Sequence, residues 1–131
     1  MIALDTNVLI DLLGDGPRAD AAEAALRLAL TNAPVVVCDV VLSELTAGLG
    51  SGSEVLDVLE DIGVRFAAVD QRAAVRSGEM QRKYNARLRA AGRRPASPRT
   101  APDFIVCAHA LLQCNALITS DDGLFETTSR A

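Results

Sequence analysis

Four short apolar runs recur along the chain, each about the length of a β-strand. They cover residues 2–4, 35–38, 64–69 and 116–119. The runs are largely continuous rather than alternating between apolar and polar residues, which is typical of strands buried on both faces of a parallel sheet. The pattern therefore predicts a sheet whose strands lie inside the protein.

Segments with helical spacing of apolar residues separate these runs. The predicted helices cover residues 7–13, 19–31, 40–48, 54–62, 71–91 and a segment from about Asp103 to Cys114. Asp39 and Ser53 are the predicted N-caps of the third and fourth helices. Gly63 and Gly92 are the predicted ends of the fourth and fifth helices, because glycine readily adopts the left-handed conformation that closes a helix.

The alternation of strands and helices predicts an α/β fold. This order favours a three-layer sandwich, in which a mostly parallel central sheet is flanked by helices, with right-handed crossovers. The 131 residues fit a single domain over residues 1–131. Residues 92–102 contain three of the five prolines and are predicted to form a loop.

Four acidic residues stand where this fold would bring them together. Asp5 ends the first strand, and Asp121 follows the last one. Glu44 lies on the helix that leaves the second strand, and Asp103 opens the helix that leads into the last strand. Because ligands of open parallel sheets bind beyond the carboxyl ends of the strands, we expect all four side chains to converge on one edge.

Such a cluster predicts a divalent cation. Carboxylates a few ångströms apart repel one another unless they are protonated or hold a cation. Mg²⁺ and Mn²⁺ favour carboxylate oxygen and keep water ligands, which suits hydrolysis of a phosphodiester. Each acid alone also has an ordinary explanation as a turn, solvent-facing or first-turn helix residue. The prediction therefore depends on their joint placement.

Charge is divided unevenly along the chain, although the net charge is only −4. Residues 80–102 carry seven basic side chains and no acidic one, so all 17 acids lie elsewhere. A basic segment of this kind could grip RNA phosphates beside an acidic site, and a solvated charged surface is the alternative interpretation. The seven basic residues are Arg82, Lys83, Arg87, Arg89, Arg93, Arg94 and Arg99.

Composition excludes several other function classes. Three Phe, one Tyr and no Trp leave too few aromatic rings for a platform that stacks single-stranded bases. The three cysteines form no CxxC pair, which speaks against a disulfide framework or a zinc site. No segment approaches the roughly 20 apolar residues of a membrane span, and we expect a cytoplasmic protein without membrane contact.

At these residues the chain resembles the PIN domain family, and within it the short VapC-like ribonuclease toxins of toxin–antitoxin pairs. The resemblance covers nearly the whole chain and keeps the order of the family's motifs. Four segments carry it: IALDTNVLIDLL, VVVCDVVLSELTAGL, PDFIVCAHALLQ and ALITSDDGLF.

The resemblance implies a role for each acid. Asp5 corresponds to the residue with the most central metal contact, and Glu44, Asp103 and Asp121 to the remaining catalytic metal ligands. Asp121 is chosen over the adjacent Asp122. Two hydroxyl residues, Thr6 and Thr119, are expected to support the site, and Thr6 could orient the Asp5 carboxylate by a hydrogen bond.

The resemblance also implies an activity and partners. It implies Mg²⁺- or Mn²⁺-dependent endonucleolytic cleavage of RNA that leaves 5′-phosphate and 3′-hydroxyl ends. It further implies a homodimer, and a cognate VapB-like antitoxin whose peptide covers the acidic groove. An Arg or Lys of that peptide could then displace the cation from the carboxylates.

Two other functions stay open. One is a PIN-fold protein that binds RNA or a partner without cleaving RNA. The other is a phospho-accepting receiver domain, which would need a lysine late in the chain, whereas Lys83 is the only lysine. His109 is the only histidine; it is not expected to act as a general base, because it should face another side of its helix than Asp103 does.

Overall fold

The helices and strands of the chain are arranged around one parallel sheet. The computed structural model describes residues 1–14, 16–95 and 98–120. Within these residues the sheet has the order β3-β2-β1-β4, and every neighbouring pair is parallel. Ile2 pairs with Val35 on one side and with Ala116 on the other. The predicted parallel sheet is confirmed. The strands are β1 (Ile2–Leu4), β2 (Val35–Val37), β3 (Arg65–Phe66) and β4 (Ala116–Ile118).

Helices connect the strands as the apolar spacing predicts, and their bounds lie within about two residues of the expected ones. The helices within the described ranges are α1 (Thr6–Leu13), α2 (Ala19–Asn32), α3 (Asp39–Leu49), α4 (Gly52–Asp61), α5 (Gln71–Ala91) and α6 (Ala101–Gln113). None of them is both long and apolar enough to cross a membrane.

Both faces of the sheet are covered at its centre. The edge strand β3 covers only two residues of the predicted run 64–69 and is exposed rather than buried as predicted. Successive strand residues point to opposite faces, and the consecutive residues Val35, Val36 and Val37 are each at most 2% exposed. One core cluster packs β1 and β2 against α1 to α4, and a second joins α5 to α6 around Phe104 and Met80. The predicted three-layer sandwich is thus the observed one, and its core is largely aliphatic.

Two predicted helix caps are wrong. Cys38, not Asp39, occupies the N-cap position of α3, and the Asp39 carboxylate instead accepts a hydrogen bond from the Val69 N–H at 2.8 Å. Ser51, not Ser53, caps α4 by accepting from the Glu54 N–H at 3.4 Å. The cause in the first case is a contact with a residue 30 positions away, which local sequence does not reveal.

The predicted helix ends at glycine are confirmed. Gly63 follows α4 with a φ of +79°, and Gly92 ends α5 with a φ of +63°. After Gly92 the chain turns back, so α5 and α6 pack against each other as an antiparallel pair. Tyr84 in the C-terminal half of α5 meets Phe104 in the first turns of α6, and Arg72 at the start of α5 bonds to the Leu112 carbonyl near the end of α6.

Candidate active site

Asp5 sits at the carboxyl end of β1, where the strand passes directly into α1. Its backbone N–H donates to the Ile118 carbonyl at 3.0 Å, which fixes the residue against β4. Its side chain is the N-cap of α1, since Oδ1 accepts from the Thr6 N–H at 2.8 Å. Only 8% of Asp5 is exposed. The fold therefore buries a carboxylate at the edge where the sequence predicts the site.

Two threonines contact the acidic residues at this edge. The Thr119 hydroxyl, just beyond β4, donates to Asp5 Oδ2 at 2.9 Å. The Thr6 hydroxyl donates to Glu44 Oε1 at 2.8 Å, although the sequence suggested that it would orient Asp5. Thr6 orients Asp5 only through its backbone N–H, and its side chain joins α1 to the Glu44 side chain of α3.

Asp103 lies in the first turn of α6 and is half-buried. Its Oδ2 accepts from the backbone N–H of Thr100 at 2.8 Å and lies 3.3 Å from the Thr100 hydroxyl. This is a capping box, in which the third helical residue reaches back to the N-cap residue. The helix cap therefore fixes the direction of the Asp103 side chain.

The electrostatics link the three acids. Burial raises the pKa of Asp5 above its usual value, and the charges of Asp103 and Glu44 raise it further. The hydrogen bonds from Thr119 and Thr6 lower the pKa in part. The charged side chains that act on Asp5 are thus carboxylates. A buried carboxylate with acidic neighbours is the electrostatic environment that a hard cation stabilises.

The carboxylate oxygens of these residues suit a divalent cation, but the described residues alone do not form a complete metal site. Among residues 1–14, 16–95 and 98–120, no three His, Cys, Asp or Glu side chains lie close enough together to hold a metal ion. Asp121 and Asp122 lie outside those ranges. The charges of Glu44 and Asp103 both act on Asp5, and all three residues offer the oxygen ligands that Mg²⁺ and Mn²⁺ prefer.

The basic residues lie on α5 and on the segment that follows it. Arg82, Lys83, Arg87 and Arg89 are exposed on α5, and Arg93 and Arg94 are exposed after Gly92. Because α5 is antiparallel to α6, its C-terminal end lies beside the helix end that carries Asp103. Arg82 and Arg89 line a shallow groove of about 320 Å³ together with Gly78, Gln81 and Asn85.

An apolar groove beside Glu44 was not foreseen from the sequence. It has a volume of about 290 Å³ and runs between α1 and α3. Ile10 is 55% exposed and Leu49 is 46% exposed there. Apolar spacing identifies an apolar helix face, but it does not show whether another part of the chain packs against that face. The lining residues are Ile10, Leu13, Gly14, Glu44, Leu45, Gly48 and Leu49.

His109 belongs to the core rather than to the acidic edge. It is 1% exposed, and its Nδ1 lies 4.0 Å from the Cys114 Sγ. Burial lowers its pKa, outweighing the Ala67 carbonyl and the charges of Asp39 and Asp70, which raise it.

The PIN domain family model matches residues 2–130. No curated protein matches the sequence. Solved structures share the fold at low identity. VapBC2 from Rickettsia felis bound to a DNA fragment from their promoter has a TM-score of 0.67 at 21% identity, with 92% of this chain and 89% of that chain covered.

Two further solved structures are similar. A toxin–antitoxin complex from Klebsiella pneumoniae has a TM-score of 0.61 at 21% identity and covers 94% of this chain and 90% of that chain. The Mycobacterium tuberculosis toxin VapC20, described as cleaving the sarcin–ricin loop, has a TM-score of 0.58 at 18% identity, with 92% of each chain covered.

Proposed function

The chain belongs to the PIN domain family, and we propose that it is a divalent-metal-dependent endoribonuclease, the toxin of a type II toxin–antitoxin pair. The observation that carries the proposal is the Asp5 carboxylate at the carboxyl edge of a parallel sheet, whose pKa is raised by burial and further by the charges of Asp103 and Glu44. The similar VapC20 is described as an RNA-cleaving toxin, and two other similar structures are named as VapBC2 and as a toxin–antitoxin complex.

In the proposed site Asp5, Glu44, Asp103 and Asp121 hold Mg²⁺ or Mn²⁺. A bound cation of this kind supplies a water of lowered pKa for attack on phosphorus and stabilises charge on the leaving oxygen. Asp5 is held for this task by the Thr119 hydroxyl and the Thr6 N–H. Thr6 also holds Glu44, so one short segment after β1 orients two of the acids.

The proposed RNA contacts lie on the C-terminal half of α5 and the residues after it. RNA brings its phosphates to the site, and arginines hold phosphates through two hydrogen bonds at once. Arg82 and Arg89 share a groove with Gln81 and Asn85, whose amides can contact sugars and base edges. Arg87, Lys83, Arg93, Arg94 and Arg99 complete the proposed basic surface.

The proposed protein partner is a VapB-like antitoxin. Glu44 is one of the residues that line the apolar groove between α1 and α3, so an apolar peptide segment in the groove could place a following Arg or Lys beside the Glu44 carboxylate. An amphipathic helix is the peptide type that such grooves bind. We further propose that the toxin is a cytoplasmic homodimer.

Sequencing of RNA ends after expression in cells tests this function. The native chain should produce defined new ends with 5′-phosphate and 3′-hydroxyl groups, and Asp5→Asn should produce none. Asp57→Asn is the matched control, because Asp57 is an exposed carboxylate on α4. RNA that is bound by the purified native chain but never cut would instead favour the non-cleaving alternative.

A further inference from the structure

Tyr84 connects the basic end of α5 to the loop that leads to Asp103. The side chain is 7% exposed, and its ring lies against Phe104 with centroids 5.4 Å apart and planes at 58°. Its hydroxyl oxygen accepts a hydrogen bond from the backbone N–H of Arg99 at 3.1 Å. The only tyrosine of the chain thus reaches from the helix core to the loop backbone.

The next backbone N–H along the chain is held by an acidic residue of the candidate site. The Thr100 N–H donates to Asp103 Oδ2 at 2.8 Å. Two successive amides are therefore fixed, one by α5 and one by the first turn of α6. At the other end of the loop, the Arg93 N–H donates to the Leu88 carbonyl at 3.0 Å. Both ends of the loop are attached to the helix pair.

We propose that Tyr84 is a positioning residue for RNA, because its hydroxyl holds the backbone at Arg99, directly before the helix turn that carries Asp103, before substrate arrives. This inference depends on the proposed RNA-cleaving function. A loop that moves freely must be ordered when RNA binds, and that ordering lowers affinity. Tyr84 therefore acts on RNA binding and not on bond cleavage.

The variant Tyr84→Phe tests this role, since it keeps the ring against Phe104 and removes only the hydroxyl acceptor. We expect KM for a labelled RNA stem-loop to rise about three- to tenfold, with kcat changed less than about twofold. Hydrogen exchange of the Arg99 amide should become about tenfold faster or more. The Thr100 amide, held by Asp103, should exchange as before.

Ser77→Ala is the matched control. Ser77 is a buried hydroxyl residue on the same helix, and its Oγ donates to the Ala74 carbonyl at 2.7 Å, away from the loop. This variant should leave KM and Arg99 exchange unchanged. An unchanged KM in Tyr84→Phe, an unchanged Arg99 exchange rate, or a loss confined to kcat would each overturn the positioning role.

Binding of the same RNA stem-loop in an Asp5→Asn background separates this inference from the proposed function. No cleavage is needed there, so the dissociation constant reports on RNA contacts alone. A weaker affinity after adding Tyr84→Phe supports the positioning role even if the native chain cuts no RNA, a result that would refute only the nuclease. Equal affinities overturn the positioning role.

Discussion

At the scale of single residues, Asp5 and His109 show opposite uses of burial. Both side chains lose water, but Asp5 lies near Asp103 and Glu44 at the edge of the sheet, whereas His109 is buried on α6 within the core. Burial disfavours the charged form of each group, which raises the pKa of an acid and lowers that of a base. Burial of each residue therefore leads to a separate prediction about the stability of the protein.

Asp5→Asn should stabilise the metal-free protein. The substitution removes a charge that burial and two carboxylates disfavour, while an amide keeps the shape and can still accept from the Thr6 N–H. We expect the melting temperature without metal to rise by about 2–5 °C. Mn²⁺ should raise the melting temperature of the native chain but not that of the variant.

Differential scanning calorimetry with and without Mn²⁺ measures both effects, with Asp57→Asn as the exposed control. A drop of several degrees in metal-free Asp5→Asn would assign a structural role to the Asp5 charge. A Mn²⁺ response of equal size in both proteins would remove Asp5 from the metal site.

His109 should make the fold sensitive to mild acid. Its pKa in the folded chain lies below the ordinary value of 6.5, so the unfolded chain binds the proton more readily between these two values. The free energy of unfolding should therefore fall as the pH drops below about 6.5, by at most about 1.4 kcal/mol per pH unit. Urea denaturation at pH 7.5 and 5.5 measures this slope.

Urea denaturation of the His109→Gln variant at the same two pH values isolates the contribution of the histidine to this pH dependence. We expect the free energy of unfolding to differ less between the two pH values in this variant than in the native chain. A native protein that is equally stable at both pH values, or a variant with the same slope, would contradict the assignment.

At the scale of helices and strands, local sequence patterns were sufficient to predict where most elements lie and whether each is a helix or a strand. They did not predict hydrogen bonds between residues that are distant in the sequence. The sequence predicts α5 over 71–91 because a helical pattern ends at Gly92, and the observed helix has those bounds. Asp39 was misassigned because Val69, from a distant connection, takes its carboxylate. The prediction of Ser53 as the cap of α4 was also wrong, because Ser51, two residues earlier, takes that position.

Helix α5 should bind RNA mainly through phosphate contacts. Arg89→Ala removes one exposed cation from the groove that it shares with Arg82. We expect affinity for a labelled RNA stem-loop to fall about three- to tenfold at low salt, and the slope of log affinity against log salt to decrease by about one. A salt titration of binding, followed by fluorescence anisotropy, measures both.

Arg27→Ala is the control for this charge change. Arg27 is exposed on α2, where it pairs with Glu23 at 2.6 Å, so its removal changes the net charge equally without touching α5. If both variants weakened binding to the same extent, the effect would come from overall charge and the basic surface of α5 would lose its assigned role.

At the scale of the whole molecule, the parallel sheet explains why distant acids could be predicted to meet and why the site could not be completed. All carboxyl ends of parallel strands lie at one edge, which brings Asp5, Glu44 and Asp103 into electrostatic reach. The angle of each side chain depends on contacts that no spacing encodes, such as Thr6 with Glu44 and Thr100 with Asp103. The predicted Asp121 lies outside the described residues.

Cleavage of purified RNA by the purified chain tests the central claim most directly. The native protein should cut a structured RNA in the presence of Mg²⁺ or Mn²⁺, stop when EDTA is added, and resume when the cation is restored in excess. Asp5→Asn should be inactive under all these conditions, while Asp57→Asn should cut as the native chain does. Cutting that survives EDTA, or that Asp5→Asn retains in full, would contradict the account.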